Sequence, residues 1–119
     1  MNQRNTTISA NNVLNDIIPK LNAVEKLVDG TLKEIVEASR LPAEIERYSK
    51  LQMEFQLELT MIRMNLEHLL KRYHKELEAV MNDPRQDLQL TLDQHESVAV
   101  ESAKTLYQRV QELQTQGVS

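Results

Sequence analysis

The chain contains no cysteine and no tryptophan, and it has only two glycines, three prolines and one phenylalanine. Without cysteine, neither a disulfide framework nor a thiolate metal site can form. Gly and Pro interrupt helices, so their scarcity favours long helices. A domain of this size usually buries several large rings. With aromatics at 3%, seams of Leu, Ile, Val and Met between helices are expected instead.

The charge balance is mildly acidic, with 18 acidic and 14 basic side chains and a net charge of −4. Nucleic-acid-binding proteins usually carry a basic excess and stacking aromatics, so we expect no nucleic-acid partner. No segment approaches the ~20 apolar residues that a membrane span requires, and the N-terminus has no stretch typical of a signal peptide. We therefore expect a soluble, cytoplasmic protein, with the nucleus as another possible compartment.

The length of 119 residues predicts a single domain. Residues 1–15 are rich in short polar side chains that compete for backbone hydrogen bonds, which predicts a flexible N-terminal tail. A helical domain should follow over residues 16–117, with helices over about 16–39, 42–81 and 84–116. The predicted fold class is all-α, an antiparallel three-helix bundle or helical hairpin with coiled-coil character and a long central helix.

Prolines and capping residues mark the two breaks between these helices. Pro42 suits the first turn of the central helix, whereas Asp83 can cap a third helix with Pro84 in its first position. Gly117 is suited to the end of that helix. Apolar residues at helical spacing define the faces expected to be buried. On the central helix they are Tyr48, Leu51, Phe55, Leu59, Ile62, Leu66, Leu69, Tyr73, Leu77 and Val80, and on the third they are Leu88, Leu92, His95, Ala99, Ala103, Leu106, Val110 and Leu113.

The motifs that usually carry catalysis or cofactors are missing. Two glycines cannot build a phosphate-cradling loop. None of the three histidines has a Glu three residues before it, as helical di-iron sites require. The acidic side chains recur at helical spacing, which is typical of the solvent-exposed face of a helix. We therefore predict no enzyme activity, no metal and no cofactor.

The central helix carries a second apolar stripe, roughly opposite the first at about 100° per residue. It consists of Met53, Leu57, Met61, Met64 and His68. One interpretation is that helices flank the central helix on both sides and make this stripe part of the core. The other is contact with another molecule, because methionine recurs at adaptable protein-binding surfaces.

The second stripe continues into a basic cluster formed by Lys71, Arg72 and Lys75. This cluster is interpreted either as a solvated helix end or as a docking point for an acidic partner or an anionic surface. The hypothesis for partner binding therefore combines the stripe and the cluster. Its eight residues are Met53, Leu57, Met61, Met64, His68, Lys71, Arg72 and Lys75.

These features together favour a non-enzymatic protein–protein interaction protein, a subunit of a helical homo- or hetero-oligomeric assembly. The alternative is a small helical chaperone or adaptor, for example of a secretion system, that shields an amphipathic helix of a client. A subunit should be stable only with its permanent partners. A chaperone should form a soluble dimer alone and exchange its clients.

Overall fold

The computed structural model describes residues 6–115 and shows a mostly helical chain with one small sheet. The first helix, α1, covers residues 10–38. The other elements are β1 at Thr6–Ser9, α2 at Pro42–Arg72, α3 at His74–Asn82, β2 at Gln89–Leu92 and α4 at Gln94–Thr115. The two strands pair to form the sheet. A 3₁₀ turn at Pro84–Gln86 links α3 to β2. The predicted predominance of helix and the long helix after Pro42 are confirmed.

Helix α1 alternates between α- and π-helical turns. Its segments are Ala10–Asn12 (α), Val13–Ile17 (π), Ile18–Lys26 (α), Leu27–Leu32 (π) and Lys33–Ala38 (α). In the two π segments the backbone hydrogen bonds reach one residue further along the chain than in an α-helix. The buried residues of α1 follow steps of three and four throughout, as Ala10, Val13, Ile17, Leu21, Val24, Val28 and Leu32, with Leu27 beside Val28. This spacing keeps one continuous apolar face towards the core.

The predicted flexible tail is wrong for residues 6–15, and its residues 1–5 lie outside the part of the chain that the structure describes. Ser9 caps α1, because its Oγ accepts a hydrogen bond from the backbone N–H of Asn12 at 3.0 Å. Asn11 donates its backbone N–H to Asp87 Oδ1 and its side-chain Nδ2 to the Pro84 carbonyl, both at 2.9 Å. The short polar side chains that suggested disorder therefore act as caps and tethers, a role for which they are equally suited.

The predicted third helix over 84–116 is wrong at its start, where β2 pairs antiparallel with β1. Its predicted end at residue 116 and the stop at Gly117 lie outside the described residues. Ile8 lies opposite Leu90 in this pairing. Leu90 and Leu92 are buried while Thr91 is exposed. This alternation has the period of two that a strand requires. The partner strand comes from a segment about 80 residues earlier, so local periodicity could not indicate the pairing.

One hydrophobic core joins α1, α2 and α4, each of which contacts the other two. Phe55, at 0% exposure, is among the largest side chains in this core. The predicted central helix over 42–81 is interrupted at Tyr73, whose φ of −110° and ψ of 27° are not helical. Helix α2 therefore ends at Arg72, and α3 begins at His74 and contacts the start of α1.

Candidate protein-binding face

Four large apolar side chains of α2 lie on the surface, on the side of the helix away from the core. We call them the Met face. They are Met53, Leu57, Met61 and Met64, with exposed fractions of 60%, 61%, 64% and 68%. The structure therefore excludes the interpretation of this stripe as internal core of the chain.

The Met face is exposed because α1 and α4 both pack against the opposite side of α2. The buried residues of that side are Phe55, Leu59, Ile62, Leu66 and Leu69. At about 100° per residue, this set and the Met face point in nearly opposite directions. Three long helices that share one core leave the outer side of each to solvent. In α2 that outer side is apolar over about three turns.

Charged residues lie at both ends of the Met face. Glu46 and Lys50 precede it, and both are exposed. Glu67 and Lys71 follow it and form an ion pair of 3.6 Å along the helix. Lys75, also predicted to bind a partner, lies beyond the break at Tyr73, on α3, and is exposed. The Met face is thus an apolar patch with charges of both signs at each end.

No helix within residues 6–115 combines the length and the apolar character needed to cross a membrane. This holds for α2 despite its second apolar stripe. The face carries only four large apolar residues, and charged side chains stand on either side of them.

His68 and Arg72, the remaining two predicted partner-binding residues, instead contact Glu96 in the first turn of α4. His68 Nδ1 lies 2.8 Å from Glu96 Oε2. The Arg72 guanidinium donates from Nε to Oε2 at 3.1 Å and from Nη2 to Oε1 at 2.5 Å. Arg72 Nη2 also donates to the Thr91 carbonyl at 2.8 Å. The structure thus gives Arg72 a role inside the chain, because it links α2 to β2 and α4.

Glu96 and Asp93 form a capping box at the start of α4. The backbone N–H of Glu96 donates to Asp93 Oδ1 at 2.7 Å, and the backbone N–H of Asp93 donates to Glu96 Oε1 at 2.9 Å. Each Glu96 oxygen therefore has two partners, which uses the roughly four lone-pair sites that a carboxylate offers. This site was not predicted from the sequence, although the spacing of Asp93 and Glu96 is a signal for the start of a helix.

Glu96 is ionised although its side chain is only 1% exposed. Burial raises the pKa of Glu96, but the hydrogen bonds from Arg72, the Asp93 amide and His68 outweigh that effect, so the pKa lies below its ordinary value. The same hydrogen bond to Glu96 raises the pKa of Arg72. A charged pair is therefore the stable form at this point of the core.

His68, Asp93 and Glu96 also bring three ligand-type atoms within 4.8 Å of one another. The missing Glu-x-x-His spacing predicted no di-iron site, and the fold assembles this different grouping from α2 and the start of α4. Arg72 already neutralises Glu96 and occupies both of its oxygens. A metal ion would have to displace that guanidinium. The arrangement is therefore suited to tying two helices together rather than to coordinating a cation.

Comparison with known proteins gave no match to a protein-family model, to a curated protein or to a solved structure.

Proposed function

We propose that this chain is a non-enzymatic protein–protein interaction protein, a subunit of a helical homo- or hetero-oligomeric assembly that binds through the Met face. The observation that carries the proposal is the exposure of 60–68% of each of its four large apolar side chains. Full burial of one such side chain contributes about 1.5–3 kcal/mol. Covering all four would therefore contribute several kcal/mol to association.

The shape of the Met face favours a helical partner. Its residues follow steps of 4, 4 and 3 along α2. Such a row forms a ridge that fits the groove of another helix. Helix-to-helix contact of this kind is the coiled-coil character that we attribute to the assembly, with antiparallel helices as the arrangement we favour. The proposed binding surface comprises the Met face together with the exposed Lys71 and Lys75.

The three methionines of the Met face favour a second candidate function, that of a small helical chaperone or adaptor. Methionine has an unbranched, polarisable side chain that adapts to partners of different shape. Met53, Met61 and Met64 could therefore shield amphipathic helices of more than one client. The two functions differ in whether the bound partner is exchanged, because a chaperone releases its client and an architectural subunit keeps its partner.

The proposal is tested by a double substitution at the centre of the face, Met61→Glu with Met64→Glu. Glu is a good helix former and both positions are exposed, so α2 should remain folded. Protein purified from its native cell should lose its bound partner, by pull-down with mass spectrometry or by a drop in oligomeric state. Met81→Glu is the matched control, because Met81 is 67% exposed but lies on α3. Equal partner recovery from parent, double variant and control would refute binding through this face.

A further inference from the structure

We infer that the occupant of the Met face is a second copy of this chain, placed so that the two α2 helices run antiparallel. This inference rests on the proposed function of the Met face and names its partner. It is carried by two features of α2, the position of the apolar residues and the position of the charges at their two ends. Both features select the same register.

The apolar register follows from the near-symmetry of the Met face about its own centre. When α2 is reversed against a copy of itself with that centre fixed, Met53 falls opposite Met64 of the copy. In the same register Leu57 falls opposite Met61. Each exposed apolar side chain of one copy therefore meets an exposed apolar side chain of the other, and all eight are covered. The contact extends for about 16 Å along the helices, from the rise of 1.5 Å per residue.

The charge register agrees with the apolar one. The same reversal brings Glu46 opposite Lys71 of the copy, and Lys50 opposite Glu67. All four side chains are exposed, so they are available for contacts between chains. Symmetry repeats each pair, which places four oppositely charged pairs around the covered apolar centre. Opposite charges at the ends of a helical seam fix orientation and register.

A parallel arrangement would reverse this complementarity. Glu46 would stand beside Glu46 of the copy, and Lys71 beside Lys71. Like charges placed directly opposite each other oppose association. A two-fold axis through the centre of the Met face therefore gives a self-complementary interface of the kind that closed dimers use.

The orientation is tested by crosslinking single-cysteine variants, which the cysteine-free chain allows without background. A disulfide requires Cα atoms within about 7 Å of each other. In the antiparallel dimer the two copies of residue 64 are separated by about 16 Å along the helices. Met64→Cys alone should therefore not crosslink, whereas a mixture of Met53→Cys and Met64→Cys chains should form the mixed dimer. The antiparallel arrangement would be overturned if Met64→Cys chains crosslinked efficiently with each other and the mixture gave no mixed dimer of a Met53→Cys chain with a Met64→Cys chain.

The existence of the dimer is tested separately by light scattering of the purified chain over a range of micromolar concentrations. The parent and Met81→Glu should show twice the chain mass of 13.8 kDa, and the Met61→Glu/Met64→Glu variant should show the mass of one chain. A monomeric parent that still binds another protein through the Met face would refute self-association and leave the proposed function standing. A dimer that survives the double substitution would overturn the inference. A parent that neither self-associates nor binds any partner would refute both.

A charge exchange provides a test that leaves the apolar residues untouched. Glu46→Lys should weaken the dimer by roughly tenfold, because two ion pairs are lost and two repulsive pairs appear. Lys71→Glu should do the same. The doubly substituted chain restores opposite charges across the antiparallel interface and should recover most of the parent affinity. Additive weakening in that variant would contradict the proposed register.

Discussion

The Arg72 guanidinium holds both carboxylate oxygens of Glu96, a side chain that is only 1% exposed. This contact joins the C-terminal end of α2 to the first turn of α4. Glu96 also sits where the amides of α4 point outwards, and a negative charge is favourable at that end of a helix. The pair therefore fixes how the helix that carries the Met face is oriented against the rest of the core.

Removing the cation should destabilise the fold, because it leaves a buried carboxylate without its countercharge. Breaking a fully buried pair costs about 3–5 kcal/mol, and we expect about 2–3 kcal/mol for Arg72→Ala because Arg72 itself is 39% exposed. Urea unfolding measures the difference. The control is Arg63→Ala, which removes the exposed Arg63–Glu25 ion pair and should cost no more than about 1 kcal/mol. If the two variants lost the same free energy of unfolding, burial of Glu96 would add nothing to the strength of its ion pair.

Stability should depend on pH through Glu96. Its pKa is lower in the folded chain than in the unfolded chain, where a Glu titrates near pH ~4.3. The contribution of Glu96 is therefore complete above that value and is lost as the pH falls through the lower, folded pKa. Urea midpoints of the parent should fall on acidification below about pH 4. Glu96→Gln should be less stable than the parent at pH 7, with a smaller difference at pH 3. A constant difference over that range would contradict the assignment.

The sequence predicted the helical class and most of α2 because strong periodicity and Pro42 agree with each other. It did not predict β1 and β2, since each is four residues long and is stabilised by pairing with a distant segment. Leu88 and Leu92 also fit a helical period by chance, which concealed the alternation around Leu90. Local sequence patterns thus predicted the long helices, whereas the two short strands form only because distant segments pair in the folded chain.

The candidate face could be predicted in part. Spacing alone showed that α2 is apolar on two sides, but only the positions of α1 and α4 show which side is uncovered. The basic cluster was less predictable. Arg72 and Lys71 are adjacent in sequence, yet Arg72 contacts Glu96 and Lys71 lies in solvent. Sequence spacing cannot distinguish these environments, because Glu96 reaches Arg72 only through the folded position of α4.

The segment predicted as a tail provides a direct test of the fold at the N-terminus. Val13 is fully buried, so Val13→Asp would place an unpaired charge in the core and should cost more than about 3 kcal/mol. Asn15→Asp introduces the same group at an exposed position two residues away and should change stability by less than about 0.5 kcal/mol. Thermal unfolding followed by circular dichroism compares the two. Equal, small effects would mean that this segment does not contribute to the core.

Oxidation of methionine should dissociate the proposed assembly without unfolding the chain. Met53, Met61 and Met64 are all at least 60% exposed in the single chain, so mild peroxide should reach them whenever the assembly transiently dissociates. Each sulfoxide replaces an apolar side chain by a polar one and opposes burial against a partner. The helical circular dichroism should persist while light scattering or partner binding shows dissociation, and methionine sulfoxide reductases should reverse the loss.

A variant with Leu at these three positions keeps the apolar face and should resist peroxide. Dissociation of that variant as well would place the sensitive group outside the Met face.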